Sequence, residues 1–316
     1  MEKRKLGTTG LEIAPLAFGG NVFGWTVNEA RSFELLDAFI AAGFNFIDTA
    51  NSYSRWAPGH KGGESETIIG NWLKKRGNRD KVIIATKVGS DMGEGNKGLS
   101  KKYILQAVEE SLFRLQTDYI DLYQSHFPDT ATPISETLEA FAELMKQGKV
   151  KAIGGSNLTA AQLTEEIQVA KDNSLPCYQT LQPLYNLYER AAFEKELQSI
   201  CMQNNIAVIN YFALASGFLT GKYRSENDFS KSIRGGSMHK YLNQRGFRIL
   251  DVLDKVSQQY NATPAQVSIA WLLTRPTVAA PIASATNTEQ LQDLEKAVSL
   301  KLDEEAIKIL DEASAE

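Results

Sequence analysis

The feature that most constrains the fold is a repeated alternation of short apolar runs with longer amphipathic stretches. An early apolar run covers Leu16 to Phe18, and seven later runs begin near Phe44, Val82, Tyr119, Val150, Tyr178, Ile206 and Val278. Most successive runs start roughly 30 to 40 residues apart, the length of a strand, a crossover helix and the return to the next strand. Because the runs are apolar on both faces, the pattern predicts parallel strands that are covered on both sides.

The stretches between the runs carry the spacing of amphipathic helices. Ser100 precedes apolar residues that repeat on one helical face through Leu115, so it is a predicted N-cap. Thr263 and Pro264 have the types preferred at the N-cap and at the first helical position. The tail from Leu302 to Glu316 predicts a final surface helix.

Eight strands alternating with helices favour a closed (β/α)8 TIM barrel over an open doubly wound sheet, and 316 residues lie in the barrel range. No shift in composition marks a second domain, so we expect one barrel domain over residues 1–316. Residues 3–15 contain two short extended segments around a Thr-Thr-Gly turn, which predicts a β-hairpin that caps one barrel end. The segment from Tyr223 to Tyr241, rich in Ser, Gly, Lys and Asn, predicts a long loop over the barrel mouth after strand seven.

Charge and composition exclude several classes of function. The 34 Lys and Arg against 38 Asp and Glu give a formal net charge of -4, which argues against nucleic acid or anionic membrane as a partner. No apolar run has the length of a membrane helix or a signal peptide, so we expect a cytoplasmic protein. Cys177 and Cys201 lack the spacing of a disulfide framework or a zinc site, so we expect two buried thiols and no metal.

Four titratable residues follow three consecutive strands at their carboxyl ends, where barrel enzymes carry their reacting groups. Asp48 and Tyr53 follow strand two, Lys87 follows strand three, and His126 follows strand four. Each residue alone could be a cap, a loop aromatic, a solvated strand end or a rim histidine. Together they indicate a site, because a lysine and an aspartate beside apolar runs are costly to bury unless they are paired.

These side chains suit one kind of chemistry. A lysine cation beside a tyrosine hydroxyl favours the phenolate, so we expect the pKa of Tyr53 to fall from about 10 toward neutrality. Asp48 would keep Lys87 charged, and His126 would donate to a substrate oxygen. An acid aimed at a carbonyl oxygen suits reduction of C=O by an external hydride donor.

Six motifs, in order along essentially the whole chain, resemble those of the aldo-keto reductase superfamily and its NADP-dependent bacterial members. They are FIDTANSY (46–53), ATKVG (85–89), DLYQSHFPD (121–129), GGSN (154–157), LQPLYNLYER (181–190) and LTGKY (219–223). The resemblance implies an oxidoreductase that reduces an aldehyde or ketone to an alcohol, reversibly, with hydride from NAD(P)H. It places Asp48, Tyr53, Lys87 and His126, hereafter the tetrad, at the family's catalytic positions, with Tyr53 as general acid.

The resemblance also implies a nicotinamide dinucleotide across the barrel mouth, although the chain has no GxGxxG fingerprint. Ser156, Asn157 and Gln182 match the residues that hydrogen-bond the carboxamide, and Tyr211 matches the aromatic that stacks on the nicotinamide. The remaining matches are Leu214, Ser216, Gly217 and Lys222 beside the pyrophosphate, and Ser284 and Thr286 beside the adenosine phosphate.

The match departs from the family pattern at three positions. Phe212 stands where a serine is common, and Ala283 and Gln290 stand where many members carry the Lys and Arg that clamp the 2′-phosphate. NADPH is still the expected cofactor, with NADH or dual use open. Arg234 in the long loop could reach the phosphate instead, or could be an exposed loop arginine.

The walls of the substrate pocket would come from the loops after strands one, two, four and seven. Aromatic candidates favour an apolar or flat carbonyl substrate, although Trp also stacks on sugar rings. The candidates are Phe23, Trp25, Trp56 and Phe127. The segment from Ser54 to Glu66 resembles a substrate-shaping insertion, whereas His60 and His239 have no evident partner and receive no role. The oligomeric state is left open.

Two other functions stay open. A regulatory nucleotide sensor, like the potassium-channel β subunits, would share the architecture and the tetrad and would bind cofactor tightly with very slow turnover. A barrel lyase or isomerase with a Schiff base on Lys87 would be active without nicotinamide. Cofactor fluorescence followed by a screen of simple aldehydes and keto-sugars separates the three functions.

Overall fold

A computed structural model of the protein describes residues 2–316, and a barrel of parallel strands forms the centre of the fold. The strands described, in chain order, are β1 (Arg4–Lys5), β2 (Glu12–Ile13), β3 (Ala17–Gly19), β4 (Phe46–Asp48), β5 (Ile83–Val88), β6 (Ile120–Ser125), β7 (Val150–Ser156), β8 (Thr180–Gln182), β9 (Ala207–Val208) and β10 (Ile282–Ala283). Strands β3 to β9 lie side by side in chain order, and β10 pairs with β3. Hydrogen bonds of 2.9 Å from Val208 N to Thr277 O and from Ala279 N to Val208 O join β9 to the segment before β10. The predicted (β/α)8 barrel is confirmed.

Helices surround the barrel. Those described are α1 (Glu29–Ala41), α2 (Glu64–Arg76), α3 (Lys101–Leu115), α4 (Ile134–Lys146), α5 (Ala160–Asp172), α6 (Gln198–Gln203), α7 (Gln244–Gln259), α8 (Pro264–Leu273), α9 (Thr288–Ser299) and α10 (Glu304–Ser314). The Ser100 hydroxyl accepts a hydrogen bond from the backbone N–H of Tyr103, as predicted for an N-cap. Thr263 and Gln266 form a capping box at the start of α8, with Pro264 in the first turn. Helix α10 confirms the predicted final helix.

The N-terminal hairpin closes one end of the barrel. β1 and β2 pair in antiparallel fashion, with Arg4 opposite Ile13, so the predicted hairpin is confirmed. Leu6 and Ile13 are fully buried and pack with Phe46 and Leu122 in one apolar cluster inside the barrel. Full burial of each such side chain stabilises the fold by about 1.5–3 kcal/mol. The hairpin thus fills one end of the barrel, and the parallel strands all end at the opposite rim.

The register of the strands aligns residues at that carboxyl end. Lys87 pairs with Gln124 across β5 and β6, and Ser156 pairs with Gln182 across β7 and β8. Residues on neighbouring strands of a sheet point to the same face when they pair, so these polar side chains form one layer near the rim. That layer is the floor of the site described below.

The predicted long loop after strand seven contains short helical turns. Residues 215–220, 226–231 and 235–241 form 3-10 helices, and α7 and α8 follow before β10. Tyr241 donates hydrogen bonds of 3.0 and 3.1 Å to the carboxylate of Glu189, which holds the loop against the segment that follows β8. The buried Tyr241 therefore fixes the end of this Ser-, Gly- and Asn-rich stretch to the barrel.

Two further expectations concern the cysteines and membrane insertion. Cys201 is buried, but Cys177 is only partly buried, so the expectation of two buried thiols is wrong for Cys177. Its segment precedes β8 and is covered from one side by Glu166 of α5, whose carboxylate lies 3.5 Å from the thiol. Within residues 2–316, every helix is too short or too polar to cross a membrane.

Candidate active site

Lys87 occupies the centre of a compact polar cluster. Its Nζ donates to Oδ2 of Asp48, to the backbone oxygen of Thr49 and to the hydroxyl of Tyr53, each at 2.8 Å. The Tyr53 hydroxyl in turn donates to Oδ2 of Asp48 at 3.1 Å. Lys87 and Asp48 have no exposed surface. All three protons of the ammonium group are therefore used, which matches a charged lysine beside a neutral phenol.

The pairing of β4 with β5 brings these side chains together. Asp48 pairs with Ala85, and Lys87 lies two residues beyond Ala85 and points to the same, inner face. The pairing continues past the end of β4, where Thr49 N donates to Ala85 O at 2.8 Å. Tyr53 follows in a turn closed by a hydrogen bond from its N–H to Ala50 O. The contact between Tyr53 and Lys87 is therefore set by backbone geometry.

The pKa of Tyr53 differs from the sequence expectation. Burial raises its pKa well above the ordinary value, and the charge of Asp48 and its hydrogen bond to the hydroxyl raise it further. The expected fall in this pKa is wrong, because Asp48 contacts the same hydroxyl as Lys87 and offsets the lysine charge. Tyr53 is a protonated phenol at neutral pH.

Burial also shifts Lys87 and His126. Desolvation lowers the pKa of Lys87, while Asp48 and then Glu66 act in the opposite direction. Burial, followed by the charge of Lys87, lowers the pKa of His126 well below its ordinary range. The imidazole of His126 is therefore neutral at neutral pH, and one of its nitrogens carries a proton.

Two serines contact the ring of His126 and were missed in the sequence. Ser90 Oγ lies 2.9 Å from Nδ1 of His126, and Ser52 Oγ lies 3.4 Å from the same nitrogen. Ser52 donates to Ser90 at 3.2 Å, which leaves the Ser90 hydroxyl free to donate to Nδ1. An imidazole that accepts at Nδ1 carries its proton on Nε2. The only sequence signal was that each serine follows a strand end.

The residues expected near a nicotinamide lie in one hydrogen-bonded network with the tetrad. Gln182 Nε2 donates to Oδ1 of Asp48 at 2.9 Å, and Asn157 Nδ2 donates to the backbone oxygen of His126 at 2.9 Å. The Tyr211 hydroxyl donates to Oδ1 of Asn157 at 2.7 Å. Ser156 Oγ donates to the backbone oxygen of Gln182 at 2.8 Å. The structure thus brings all four residues to the same rim.

The residues expected near the pyrophosphate form a tight turn after Tyr211. Ser216 and Gly217 have φ angles of 56° and 102°, in the left-handed region, and Leu214 N-caps this turn. A Cβ added to Gly217 would lie 3.4 Å from Nζ of Lys222, so the lysine cation packs directly on the turn backbone. Phe212, at the position where a serine is common, is 43% exposed and packs edge-on against Tyr211.

The residues expected near the adenosine phosphate are engaged with each other. Oε1 of Gln290 accepts from Thr286 N at 2.8 Å. Ser284 Oγ donates to Gly19 O at 2.7 Å and lies 2.7 Å from the carboxamide of Asn21. The same carboxamide lies 2.8 Å from Nη2 of Arg234, which joins the long loop to the ends of β3 and β10.

A cleft of about 640 Å³ opens beside Tyr53 and His126. Its lining residues are Ser52, Tyr53, Arg55, Trp56, His60, Ser90, His126 and Phe127. Of the predicted walls, Trp56 and Phe127 line the cleft, and Trp25 packs edge-on behind Trp56 at 5.6 Å between ring centroids. Phe23 is not a wall, because its ring is fully buried and stacks on Phe18 at 5.2 Å.

Arg55 and His60 also line the cleft and were not among the predicted pocket residues. Both lie in the segment from Ser54 to Glu66 that the sequence suggested as an insertion, but a loop sequence does not show which side chains turn inward. Residues 2–316 contain no group of His, Cys, Asp and Glu that could hold a metal ion.

Comparisons with known proteins show the family to which the chain belongs. Residues 15–315 match the model of the Aldo/keto reductase family. The chain is 35% identical over 320 residues to the uncharacterized oxidoreductase YrpG of Bacillus subtilis, covering 99% of this chain and 95% of that protein. It is 34% identical over 316 residues to the aldo-keto reductase YhdN of Bacillus subtilis, covering 96% and 91%.

A third relative is named for a different role. The probable voltage-gated potassium channel subunit beta of Arabidopsis thaliana is 33% identical over 309 residues, covering 95% of this chain and 92% of that protein. All three similarities cover 95% or more of this chain. The match from residue 15 to residue 315 on a (β/α)8 barrel means that the chain belongs to the aldo/keto reductase family, whose members are NAD(P)H-dependent oxidoreductases of carbonyl compounds.

Proposed function

We propose that the protein reduces an aldehyde or ketone to an alcohol with hydride from NADPH, and that Tyr53 supplies the proton. One observation carries the proposal: Nζ of Lys87 lies 2.8 Å from both the Tyr53 hydroxyl and Asp48, at the carboxyl end of the barrel. A buried cation held beside a phenol is what a proton donor to a carbonyl oxygen requires.

The side chains around the tetrad have the chemistry that a nicotinamide dinucleotide needs. Asn157 and Gln182 supply carboxamide groups and Ser156 a hydroxyl, which can hydrogen-bond the nicotinamide carboxamide. Tyr211 offers a partly exposed ring beside them, and the turn at Gly217 leaves backbone and the Lys222 cation for a phosphate. When bound, the dinucleotide supplies the hydride.

Tyr53 is suited to the proton transfer. Its phenol is protonated at neutral pH, so a proton is present to donate as negative charge develops on the substrate oxygen. The Lys87 cation, 2.8 Å away, stabilises the phenolate that remains, and Asp48 keeps Lys87 charged. The carbonyl carbon gains the hydride, its oxygen gains the Tyr53 proton, and solvent reprotonates Tyr53. A positioned acid of this kind contributes typically 10²–10⁴-fold to the rate.

His126 and Arg234 would complete the site. The neutral ring of His126, with its proton on Nε2, can donate a hydrogen bond that orients the substrate carbonyl. Arg234 has no carboxylate partner within residues 2–316 and lies beside Asn21 and Ser284, so its cation is available to the adenosine phosphate. This arrangement supports NADPH, while the absence of cations at Ala283 and Gln290 keeps NADH as the alternative.

The Tyr53→Phe variant tests this function. It removes the proton donor but none of the side chains expected to bind cofactor, so we expect carbonyl reduction to be abolished while NADPH binding is retained. NADPH fluorescence measures binding, and NADPH consumption with a panel of simple aldehydes and keto-sugars measures turnover. Near-normal reduction by the variant would contradict the assignment of Tyr53.

A second candidate function is a nucleotide sensor, since the Arabidopsis relative named as a potassium channel subunit matches 95% of this chain. A sensor would bind NADPH tightly and oxidise it very slowly even with saturating aldehyde. A Schiff-base reaction at Lys87 is disfavoured, because Nζ is fully buried and all its protons are engaged.

A further inference from the structure

The cleft beside Tyr53 contains a cation that no carboxylate neutralises. Arg55 lines the cleft, and within residues 2–316 its one side-chain hydrogen bond runs from Nη1 to the backbone oxygen of Asp91 at 2.8 Å. Its guanidinium forms no ion pair with any described Asp or Glu. The Nε and Nη2 edge of the guanidinium therefore has no protein acceptor.

Three acidic side chains near the cleft lie outside its lining, and Oε2 of one of them, Glu64, is buried without a hydrogen-bond partner. Asp48 is bound to Lys87, and Oδ1 of Asp91 accepts from the backbone N–H of Gly93 at 2.8 Å. Glu64 Oε1 accepts from the backbone N–H of Lys61 at 2.9 Å. None of these acidic residues lines the cleft. The lining is therefore cationic, which favours a negatively charged ligand group.

His60 supplies a second unsatisfied polar group. Its ring lines the same cleft, and its Nδ1 is buried without a hydrogen-bond partner. An unpaired buried polar atom of this kind is unfavourable, so a ligand that supplies a partner is favoured. Since Nδ1 has no protein partner, it can carry the ring proton and donate it to a ligand that reaches it.

The walls of the cleft are two aromatic rings, each next to a tetrad residue. Trp56 packs against Tyr53 with ring centroids 5.9 Å apart, and Phe127 stacks on His126 at 4.7 Å. Trp56 is 50% exposed and Phe127 is 47% exposed, so both rings present free apolar surface. A flat apolar group between them would be held close to the proton donor.

The loop that carries Arg55 is anchored on both sides. Ser54, in the left-handed region with φ 72°, donates to the backbone oxygen of Phe23 at 2.6 Å. On the other side, Arg55 itself is held by Asp91. At Gly62, with φ 95°, an added Cβ would lie 2.5 Å from the Met92 side chain, so the loop packs tightly on the segment after β5. Arg55 is therefore held in place before a ligand arrives, which lowers the entropic cost of binding.

We propose that Arg55 and His60 bind a carboxylate on the carbonyl substrate. The free Nε and Nη2 edge matches the two oxygens of a planar carboxylate, a geometry that a lysine cannot reproduce. The preferred substrate is an aldehyde or ketone whose carbonyl and carboxylate are joined by a flat apolar body. This inference rests on the proposed carbonyl reduction and adds the substrate class.

Two aldehydes that share one ring and differ by a methyl group on the carboxyl test the inference. 4-Carboxybenzaldehyde carries a carboxylate opposite the carbonyl, and methyl 4-formylbenzoate is its neutral ester. We expect the wild type to have the higher kcat/KM for the acid. In Arg55→Gln the ratio of kcat/KM for acid over ester should fall by about 10-fold or more, mainly through KM of the acid. Arg55→Lys should recover only part of the ratio.

The matched control is Arg31→Gln, since Arg31 lies on α1, away from the cleft, in an exposed pair with Glu34. This control should leave the ratio unchanged. If the ratio of kcat/KM for acid over ester is near one in the wild type and does not change in Arg55→Gln, the carboxylate inference is overturned. The proposed carbonyl reduction is not affected by that result.

A binding measurement separates this failure from failure of the proposed function. If the wild type reduces no aldehyde in the panel, the proposed function is wrong. Calorimetric titration of NADPH-loaded protein with terephthalate then tests the carboxylate site without requiring turnover. Binding that weakens at least about 10-fold in Arg55→Gln supports the site, and equal binding by both proteins, or none, overturns it.

Discussion

Ser90 Oγ lies 2.9 Å from Nδ1 of His126. Two serine hydroxyls can donate to this nitrogen. That of Ser90 is better placed, because Ser52 Oγ lies 3.4 Å from Nδ1. A hydrogen bond to Nδ1 leaves the ring proton on Nε2, the nitrogen that can donate to a substrate. The serine thus couples the loop after β5 to the protonation pattern of the imidazole.

We predict that Ser90→Ala lowers kcat by about 3- to 10-fold, because a fraction of His126 adopts the wrong tautomer when the hydrogen bond is lost. Nitrogen NMR of histidine-labelled protein reports the tautomer directly and would not respond to a purely structural role. Ser90→Thr keeps the hydroxyl and serves as the control. A Ser52→Ala/Ser90→Ala protein with an unchanged Nε2–H tautomer would disprove the role of the serines.

Arg234 leads to a prediction about cofactor choice. Its Nη2 lies 2.8 Å from the Asn21 carboxamide, which also contacts Ser284. We expect Arg234→Gln to weaken NADPH binding by about 10-fold and NADH binding much less, because one charge-assisted hydrogen bond to phosphate is worth about 1.5–3 kcal/mol. Fluorescence titration with both dinucleotides measures the effect.

The matched control for Arg234 is Arg224→Gln, since Arg224 lies in the same loop and pairs with Asp254 at 2.7 Å. It should change neither affinity. Equal losses of NADPH and NADH affinity in Arg234→Gln would show that Arg234 does not distinguish the 2′-phosphate.

The buried pair of Lys87 and Asp48 gives a prediction about stability. Asp48→Asn leaves an unpaired buried cation, which should cost about 3–5 kcal/mol of unfolding free energy. The double variant Asp48→Asn/Lys87→Met removes the charge as well and should recover much of the stability but none of the activity. Urea denaturation and aldehyde reduction measure the two effects. A double variant no more stable than Asp48→Asn alone would contradict the unpaired-charge explanation.

The positions of Asp48 and Lys87 in the site could be predicted from the sequence for a physical reason. Asp48 and Lys87 stand at the ends of apolar runs, and the spacing of the runs predicts parallel strands whose carboxyl ends meet. The pKa of Tyr53 could not be predicted in the same way, because it depends on the burial of the hydroxyl and on Asp48 reaching it beside Lys87. Composition shows which charges are present but not the net field at one atom.

Loop conformation is the second feature of the site that could not be predicted from the sequence. Phe23 was expected at the pocket wall, but the chain after β3 turns its ring inward onto Phe18. Arg55 and His60 were not expected in the cleft, because their positions follow from successive turns, one of them at Ser54 with a positive φ. A non-glycine residue in that region is rare, so a sequence gives little signal for it.

Glu166 gives a prediction about pH dependence. This carboxyl of α5 is buried, accepts from Tyr178 N at 3.1 Å, and burial raises its pKa from 4.5 to about 7. The folded state then holds the proton between pH 4.5 and pH 7, whereas the unfolded state has lost it. Its contribution to stability is therefore present below pH 4.5 and is lost as the pH rises through 7.

The Glu166→Gln variant isolates this contribution, since the amide oxygen can still accept from Tyr178 N but does not titrate. Between pH 5 and pH 7.5, the wild type should lose on the order of 2 kcal/mol of unfolding free energy relative to the variant, at 1.36 kcal/mol per pKa unit. Urea denaturation of both proteins at the two pH values measures the difference, and other titrating groups cancel in the comparison. Parallel pH profiles for the two proteins would mean that Glu166 is ionised in the folded state at pH 5.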